Sequence, residues 1–310
     1  MQNKNWFIIV NPAAGNGAVL RLWTNLKIHF ETQLPLCEIV HTEYAGHAIQ
    51  LVSDAIIKGC RHFIAVGGDG TNHEVANGIL QQKIVTSSSI TYALFPLGTG
   101  NDWARHHKIP THVKTWLNML IAGRTHTQDV GLLKYQGENK QESRYFVNVA
   151  GLAYDAFVVQ YIEANKKKVR NQFFYLLMIM RCLFKYSLQK AHISFNQQIE
   201  KGHFYTINIG ICKYSGGGMS LVPHAISDDG FLALTLAGKI SKLSILLNTW
   251  RFYNESIHQH SKITAFQTQS IQIRSDENGS PVLLEADGEF LGETPVDISV
   301  IENGLKVIVL

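Results

Sequence analysis

Three glycine-rich segments in the first hundred residues could handle an anion. They are Asn11-Pro12-Ala13-Ala14-Gly15, Gly67-Gly68-Asp69-Gly70-Thr71 and Pro96-Leu97-Gly98-Thr99-Gly100-Asn101-Asp102. Glycine leaves backbone N–H groups uncrowded, so a phosphate can approach them, and a helix starting just after such a turn adds its positive end. One turn of this kind is ordinary tight packing, whereas three that can converge carry weight. The middle turn sets a carboxylate, Asp69, among three glycines. A carboxylate there repels phosphate unless a cation lies between them, so Asp69 is expected to hold Mg2+ directly or through water. Its structural alternative is a helix N-cap. The turn lacks the Gly-Lys-Ser/Thr end of a P-loop and the spacing of G-x-G-x-x-G. Far along the chain, Asp287-Gly288-Glu289 places two carboxylates around a glycine, a segment that by itself reads as a hairpin turn.

The elements that must position these residues follow from the apolar pattern. Trp6 to Val10, Cys37 to Val40, Phe63 to Val66 and Thr91 to Phe95 are strand-length runs. Helical patterns follow them, with Val19, Leu22, Trp23, Leu26 and Phe30 near 3.6 spacing, then Ala48 to Lys58, then Asn72 to about Leu80. Alternation of this kind predicts a parallel sheet covered on both faces, with ligands at the carboxyl ends of its strands. The second half changes period. Phe204 to Ile211, Phe231 to Leu236, Ile271 to Ile273, Val282 to Glu285, Val296 to Val300 and Leu305 to Val309 are short and β-rich. Asp229-Gly230, Asn278-Gly279, Asp287-Gly288 and Asn303-Gly304 read as the turns between them. An antiparallel sandwich or barrel is expected, interrupted by one apolar helix from about Asn171 to Gln189. The change of pattern lies near Gly123 to Gly131. It predicts an α/β domain over 1–128, with residues 300–310 as a candidate segment returning to it, and a β-rich domain over 129–299.

Val66-Gly-Gly-Asp-Gly-Thr-Asn-His-Glu74, with the Asn11 and Pro96 segments in that order, resembles the diacylglycerol kinase catalytic-domain family of bacterial lipid kinases, eukaryotic diacylglycerol kinases and sphingosine kinases. Asp129 in Gln-Asp-Val-Gly, Asp228-Asp229-Gly230 and Asp287-Gly288-Glu289 extend the resemblance over nearly the whole chain. It implies an α/β nucleotide-binding domain, a second β-rich sandwich-like domain and an active site in the inter-domain cleft. It further implies that Asn11, Pro12, Ala13, Ala14, Gly15, Thr42, Gly68, Asp69, Gly70, Thr71, Asn72, His73, Glu74 and Thr99 bind ATP. Asp69, Asp102 and Asp129 would organise water and Mg2+, while Asp287 and Glu289 would supply the base, Glu289 being favoured. A structural Mg2+ is implied at the carbonyls of Ile226 and Phe231 and the carboxylate of Asp229. Two residues depart from the pattern: Ala14 replaces a small polar residue, and His73 an often hydrophobic one.

The resemblance points to phosphoryl transfer from ATP to a lipid hydroxyl, on a diacylglycerol-like, phosphatidylglycerol-like or sphingoid acceptor. The alternatives are an NAD kinase-like enzyme and a non-catalytic nucleotide- or lipid-binding regulator. His106 and His107 are spare acid/base candidates whose simpler reading is exposed helix histidines. The 310 residues are 45% hydrophobic and 17% charged with a net charge of +4, which excludes disordered and fibrous classes and requires no nucleic-acid partner. No apolar run approaches the ~20 residues of a bilayer span, and no secretory leader is expected. Cys37, Cys60, Cys182 and Cys212 have no metal-like spacing, so free thiols in a cytoplasmic protein are expected. Lys166, Lys167, Lys168 and Arg170 precede the apolar helix. Together with it they suggest transient peripheral contact with an anionic membrane face. Oligomeric state leaves no mark in the sequence.

Overall fold

In a computed structural model, residues 4–137, 140–165, 172–276 and 279–310 are described. The basic cluster at 166–170, together with Asn171 and Asn278, lies outside them. The chain divides into two compact units, residues 1–130 with 302–310, and residues 131–301.

The first unit alternates strand and helix: β1 (Trp6–Val10), α1 (Ala14–Gln33), β2 (Cys37–His41), α2 (His47–Ile57), β3 (His62–Gly67), α3 (Asp69–Gln81), β4 (Thr91–Pro96), α4 (Asp102–His106) and α5 (Val113–Ala122). β1 pairs in parallel with β2 and with β3, and β3 pairs in parallel with β4. Lys306 and Val307, near the end of the chain, pair in parallel with Thr91 and Tyr92 of β4. The strands are apolar on both faces because helices cover both; every residue of β1 and of β4 is buried. Phe30 of α1, Phe95 of β4 and Trp116 of α5 meet with ring centroids 5.2–5.7 Å apart and pin these helices to the sheet.

β5 (Thr125–Gln136) leads into the second unit. It continues with β6 (Gln141–Phe146), β7 (Val149–Ala153), α6 (Tyr154–Ala164), α7 (Gln172–Lys185), β8 (Gln189–Phe195), β9 (Gln198–Phe204), β10 (Thr206–Gly210), the short β11 (Tyr214–Ser215) and β12 (Met219–Ser220), and β13 (Leu232–Ala237). α8 (Lys242–Asn248), β14 (Ile263–Thr268), β15 (Ser270–Ser275), β16 (Leu283–Ala286), β17 (Glu289–Glu293) and β18 (Val296–Ile308) complete the chain. One antiparallel sheet runs β14-β13-β10-β7-β16-β17. A second antiparallel set joins β9, β8, β15 and the first residues of β18.

Three expectations need correction here. Phe204 to Ile211 is two strands, β9 and β10, split at Tyr205 as the chain passes between sheets. Asn303-Gly304 makes no hairpin. It lies inside β18, where Asn303 takes a φ of 52° and its N–H reaches Asp129 Oδ1 at 2.8 Å. The apolar helix ends at Lys185, and it is not the unit's only helix: α6 and α8 accompany it. The aromatic and β-branched run Tyr-Asp-Ala-Phe-Val-Val of α6 has strand propensity that burial against β7 and β16 overrides.

Candidate functional site

The three glycine turns meet at the carboxyl ends of β1, β3 and β4. A Cβ on Gly68 would sit 2.8 Å from the Gly98 Cα, and one on Gly15 would sit 2.7 Å from the Leu97 carbonyl oxygen. Backbones this close admit only glycine. Gly15, Asn16 and Gly17 all have φ between 55° and 77°, so the first turn winds left-handed before α1 proper. Asn11 joins two turns through its Nδ2, which donates to Thr71 Oγ1 at 3.0 Å, while its Oδ1 accepts from the Ala13 N–H. Pro12, Ala13 and Ala14 complete that turn, Thr42 follows β2 with its N–H on the Val10 carbonyl, and Thr99 is exposed in the third turn. Gly68 in extended conformation opens α3, and Asp69, Gly70 and Thr71 form its first turn, whose N–H groups have no intrahelical acceptor.

The side chains of Asn72, His73 and Glu74 turn to internal partners instead. Asn72 Oδ1 accepts from the Tyr92 hydroxyl at 2.7 Å, and His73 Nε2 lies 3.3 Å from Asn77 Nδ2. Glu74 Oε2 accepts from the Ala48 N–H in the first turn of α2. These three residues hold the scaffold, because α3 packs along α2 and β3 and the helix period turns them inward.

Asp69 Oδ1 accepts from the Trp103 N–H at 3.3 Å, and a Cβ on Gly100 would lie 2.9 Å from Asp69 Oδ2 and 3.2 Å from Asp102 Oδ2. Two carboxylates thus converge over one glycine. Burial, and then the Asp102 charge, push the Asp69 carboxyl up from 3.8 to about 6. A hard divalent cation taking oxygen ligands would relieve both effects, so this donor set fits Mg2+. Asp129 is buried, with Oδ1 held by the Asn303 N–H, and so ties the end of the chain to this side of the unit. Sequence reasoning missed the support beneath Asp102. Buried Gln128 Oε1 accepts from Trp103 Nε1 at 2.9 Å and lies 2.8 Å from His107 Nε2. His107 is therefore no exposed helix histidine. Its ring lies tilted against that of Trp103 with centroids 4.5 Å apart, and burial lowers its pKa to about 3.

In the second unit, Asp287 and Gly288 form the β16–β17 turn with φ of 49° and 83°, the left-handed pair of a type I′ hairpin. The Asp287 carboxylate accepts from three successive backbone N–H groups, those of Val147, Asn148 and Val149, at 2.9–3.1 Å. Glu289 forms an ion pair with Arg144 and stays 40% exposed at its side chain. The two acids, alike in the sequence, therefore differ: one is consumed by backbone donors and the other is accessible. In the Ile226-to-Phe231 turn, Asp229 Oδ1 accepts from the Phe231 N–H and Oδ2 from Gln267 Nε2, each at 3.0 Å. One lone pair per oxygen is left, so the turn remains compatible with a cation.

The second unit also encloses a cavity of about 420 Å³. Ile179, Met180 and Leu183 of α7 line it with Leu221, Ile245 and Phe252. Three apolar side chains of α7 are thereby accounted for. No side-chain spacing in the sequence announces the cavity, since its walls come from segments scattered between Tyr154 and Ile263.

Comparison with known proteins finds two family models on the chain. Residues 5–133 match the diacylglycerol kinase catalytic domain, and residues 148–309 match the YegS C-terminal NAD kinase beta sandwich-like domain. A diacylglycerol kinase of Staphylococcus carnosus (strain TM300) is 26% identical over 97% of this chain and 93% of its own length. One from Staphylococcus aureus (strain JH9) is likewise 26% identical, over 97% and 90%. In fold, the chain is similar to the crystal structure of a diacylglycerol kinase from Bacillus anthracis str. Sterne, with a TM-score of 0.72 at 21% identity over 99% of this chain and 97% of that one. Yeast NADH kinase complexed with NADH is more distant, with a TM-score of 0.56 at 11% identity over 100% and 84%. Converging glycine turns, a carboxylate pair at the strand ends and an acidic hairpin on a β-sandwich accompany matches spanning both units, and the chain belongs to the diacylglycerol kinase catalytic-domain family.

Proposed function

We propose that this chain is an ATP-dependent lipid kinase, transferring the γ-phosphoryl group to a lipid hydroxyl. The observation that carries the reading is the close approach of Gly15 to Leu97 and of Gly68 to Gly98, which gathers backbone N–H groups and the α3 N-terminus around one point beside Asp69 and Asp102. Such a cradle binds triphosphate, and phosphoryl transfer asks for little beyond positioning and charge neutralisation. Mg2+, when bound, would be held by Asp69 and Asp102 and would neutralise phosphate charge there. Glu289, accessible beside Arg144, is the better placed of the two hairpin acids to take the acceptor proton, while Asp287 fixes the β6–β7 junction through its three N–H donors. The apolar cavity favours an acyl acceptor over a dinucleotide.

The lipid must come from a membrane, and α8 offers the contact. Ile245, Leu246 and Phe252 face the cavity, yet Leu243, Leu247, Trp250 and Tyr253 are exposed on the same segment. Phe184 of α7 adjoins them, with Lys242 Nζ on its carbonyl at 2.7 Å, and Arg251 lies over the Trp250 ring at 5.0 Å. Apolar groups on both faces with cations alongside suit a segment lying in an anionic interface. Labelled phosphate transfer from ATP to a lipid extract, with and without Mg2+, tests the activity. Wild-type transfer by Asp69→Ala would refute the assignment. Sedimentation with anionic vesicles, compared for wild type and Leu247→Glu, tests the contact.

A further inference from the structure

The cavity of the second unit is not uniformly apolar. Asp155, in the first turn of α6, lines it together with Thr206, Asn208 and Thr235. The Asp155 carboxylate accepts hydrogen bonds from the Thr206 hydroxyl and from the Asn208 side chain. Asn208 pairs in register with Thr235 on one side and with Gly151 on the other, so these positions form one row across β13, β10 and β7. Gly151 leaves space that Glu285 and Asp155 share: a Cβ there would lie 2.5 Å from Glu285 Oε1 and 2.9 Å from the Asp155 Cβ. Thr235 Oγ1 is buried with no hydrogen-bond partner among the described residues. The Tyr205 hydroxyl, also on the lining, is likewise buried with no such partner among the described residues, whereas other polar lining groups pair with one another. Ser244 Oγ lies 3.2 Å from His260 Nε2, and Asn248 Nδ2 donates to the Ser244 carbonyl.

A carboxylate in an apolar wall is costly, and a pocket that only sheathed acyl chains would gain nothing from it. An ionised carboxylate offers about four acceptor sites. Two fixed donors leave capacity, and a partnerless hydroxyl on the same row can donate or accept. Burial raises the Asp155 carboxyl to about 6, in agreement with this desolvated setting. We propose that Asp155, held by Thr206 and Asn208, is the specificity-determining residue of this pocket, accepting a hydrogen bond from a free hydroxyl of a neutral acyl lipid so that hydroxyl-bearing lipids are selected over acyl chains without one. This rests on the reading of the cavity as the acceptor pocket.

Binding by the full chain of radiolabelled 1-oleoylglycerol and of methyl oleate, which lacks a free hydroxyl, tests it. Wild type should bind 1-oleoylglycerol roughly tenfold or more tightly than methyl oleate, on the scale of one hydrogen bond to a charged group. Asp155→Asn and, independently, Thr206→Val should shrink that ratio while methyl oleate binding holds, and should raise the lipid KM with the nucleotide KM unchanged. Met180→Trp, which fills the cavity, should abolish binding of both lipids. If Met180→Trp leaves both bound, the cavity is not the acceptor pocket and the proposal falls with that reading. If Met180→Trp removes both but the ratio survives Asp155→Asn and Thr206→Val, the pocket stands and the role of Asp155 is refuted. A wild-type ratio near one refutes that role without any variant.

Discussion

A residue kept for recognition against the interests of the fold should stabilise the protein when it is neutralised, and Asp155 offers that measurement. Its carboxyl stands at about 6 in the folded chain against 3.8 for an unburied aspartate, with burial the leading cause and the Thr206 and Asn208 hydrogen bonds opposing it. The sign follows from proton counting. Between about 4 and 6 the folded state binds the proton that the unfolded state has released, so stability falls as pH rises through that window. Above it the whole penalty is present. At about 1.4 kcal/mol per pH unit the gap corresponds to about 3 kcal/mol as an upper bound. Asp155→Asn is nearly isosteric, keeps one acceptor for Thr206 and carries no charge. At pH 7.5 it should unfold at higher urea than wild type, by up to about 1–3 M for slopes of roughly 1–3 kcal/mol per M. At pH 3.5 the two midpoints should coincide. Urea titrations of both proteins at four pH values, followed by circular dichroism, decide this. A variant less stable than wild type at pH 7.5, or a difference independent of pH, would show that the Thr206 and Asn208 bonds outweigh burial, and the reasoning would be wrong.

Five further variants have expected outcomes. Asp69→Ala should abolish transfer while the far-ultraviolet spectrum is unchanged, because the backbone groups it meets, those of Asn101, Asp102 and Trp103, belong to one short helix start. Gly98→Ala should weaken ATP binding at least about tenfold by equilibrium dialysis, since its Cβ would sit 2.4 Å from the Gly68 Cα and force two phosphate turns apart. Glu289→Gln should cut turnover by roughly 10² with little change in melting temperature. Asp287→Asn should instead lower that temperature, because an amide nitrogen would face one of three backbone N–H donors. Asp229→Ala loses two hydrogen bonds and will melt earlier in any buffer, so the structural metal is tested by Mg2+ alone. Wild type should gain more melting temperature from Mg2+ than the variant, and equal gains would remove that site.

The alternation of apolar strand with amphipathic helix was legible in the first half because period and turn chemistry are local. Trp6 to Val10 cannot be solvated on either face, and a glycine turn after a strand needs no distant partner to be recognised. The same locality made the acidic hairpin visible as a turn. What the sequence could not show is where side chains that share a motif finally point. Asn72, His73 and Glu74 belong to the same stretch as Asp69, yet the packing of α3 on α2 and β3 turns them to internal partners. Asp287 and Glu289 look equivalent until three N–H groups from 147–149 claim the first and Arg144 meets the second. Asn303-Gly304 reads as a turn by propensity, but the strand continues through it because the Asn303 N–H finds Asp129, 174 residues away. Asp155 in Tyr-Asp-Ala-Phe-Val-Val carries no local signal at all. Its importance comes from Thr206, Asn208 and an apolar cavity assembled from segments over a hundred residues of chain. Local pattern determined the elements and the glycine turns, since both depend on a few consecutive residues. Only the tertiary structure decided which carboxylates are accessible, which are consumed and which are buried, because burial and hydrogen-bond supply belong to neighbours in space.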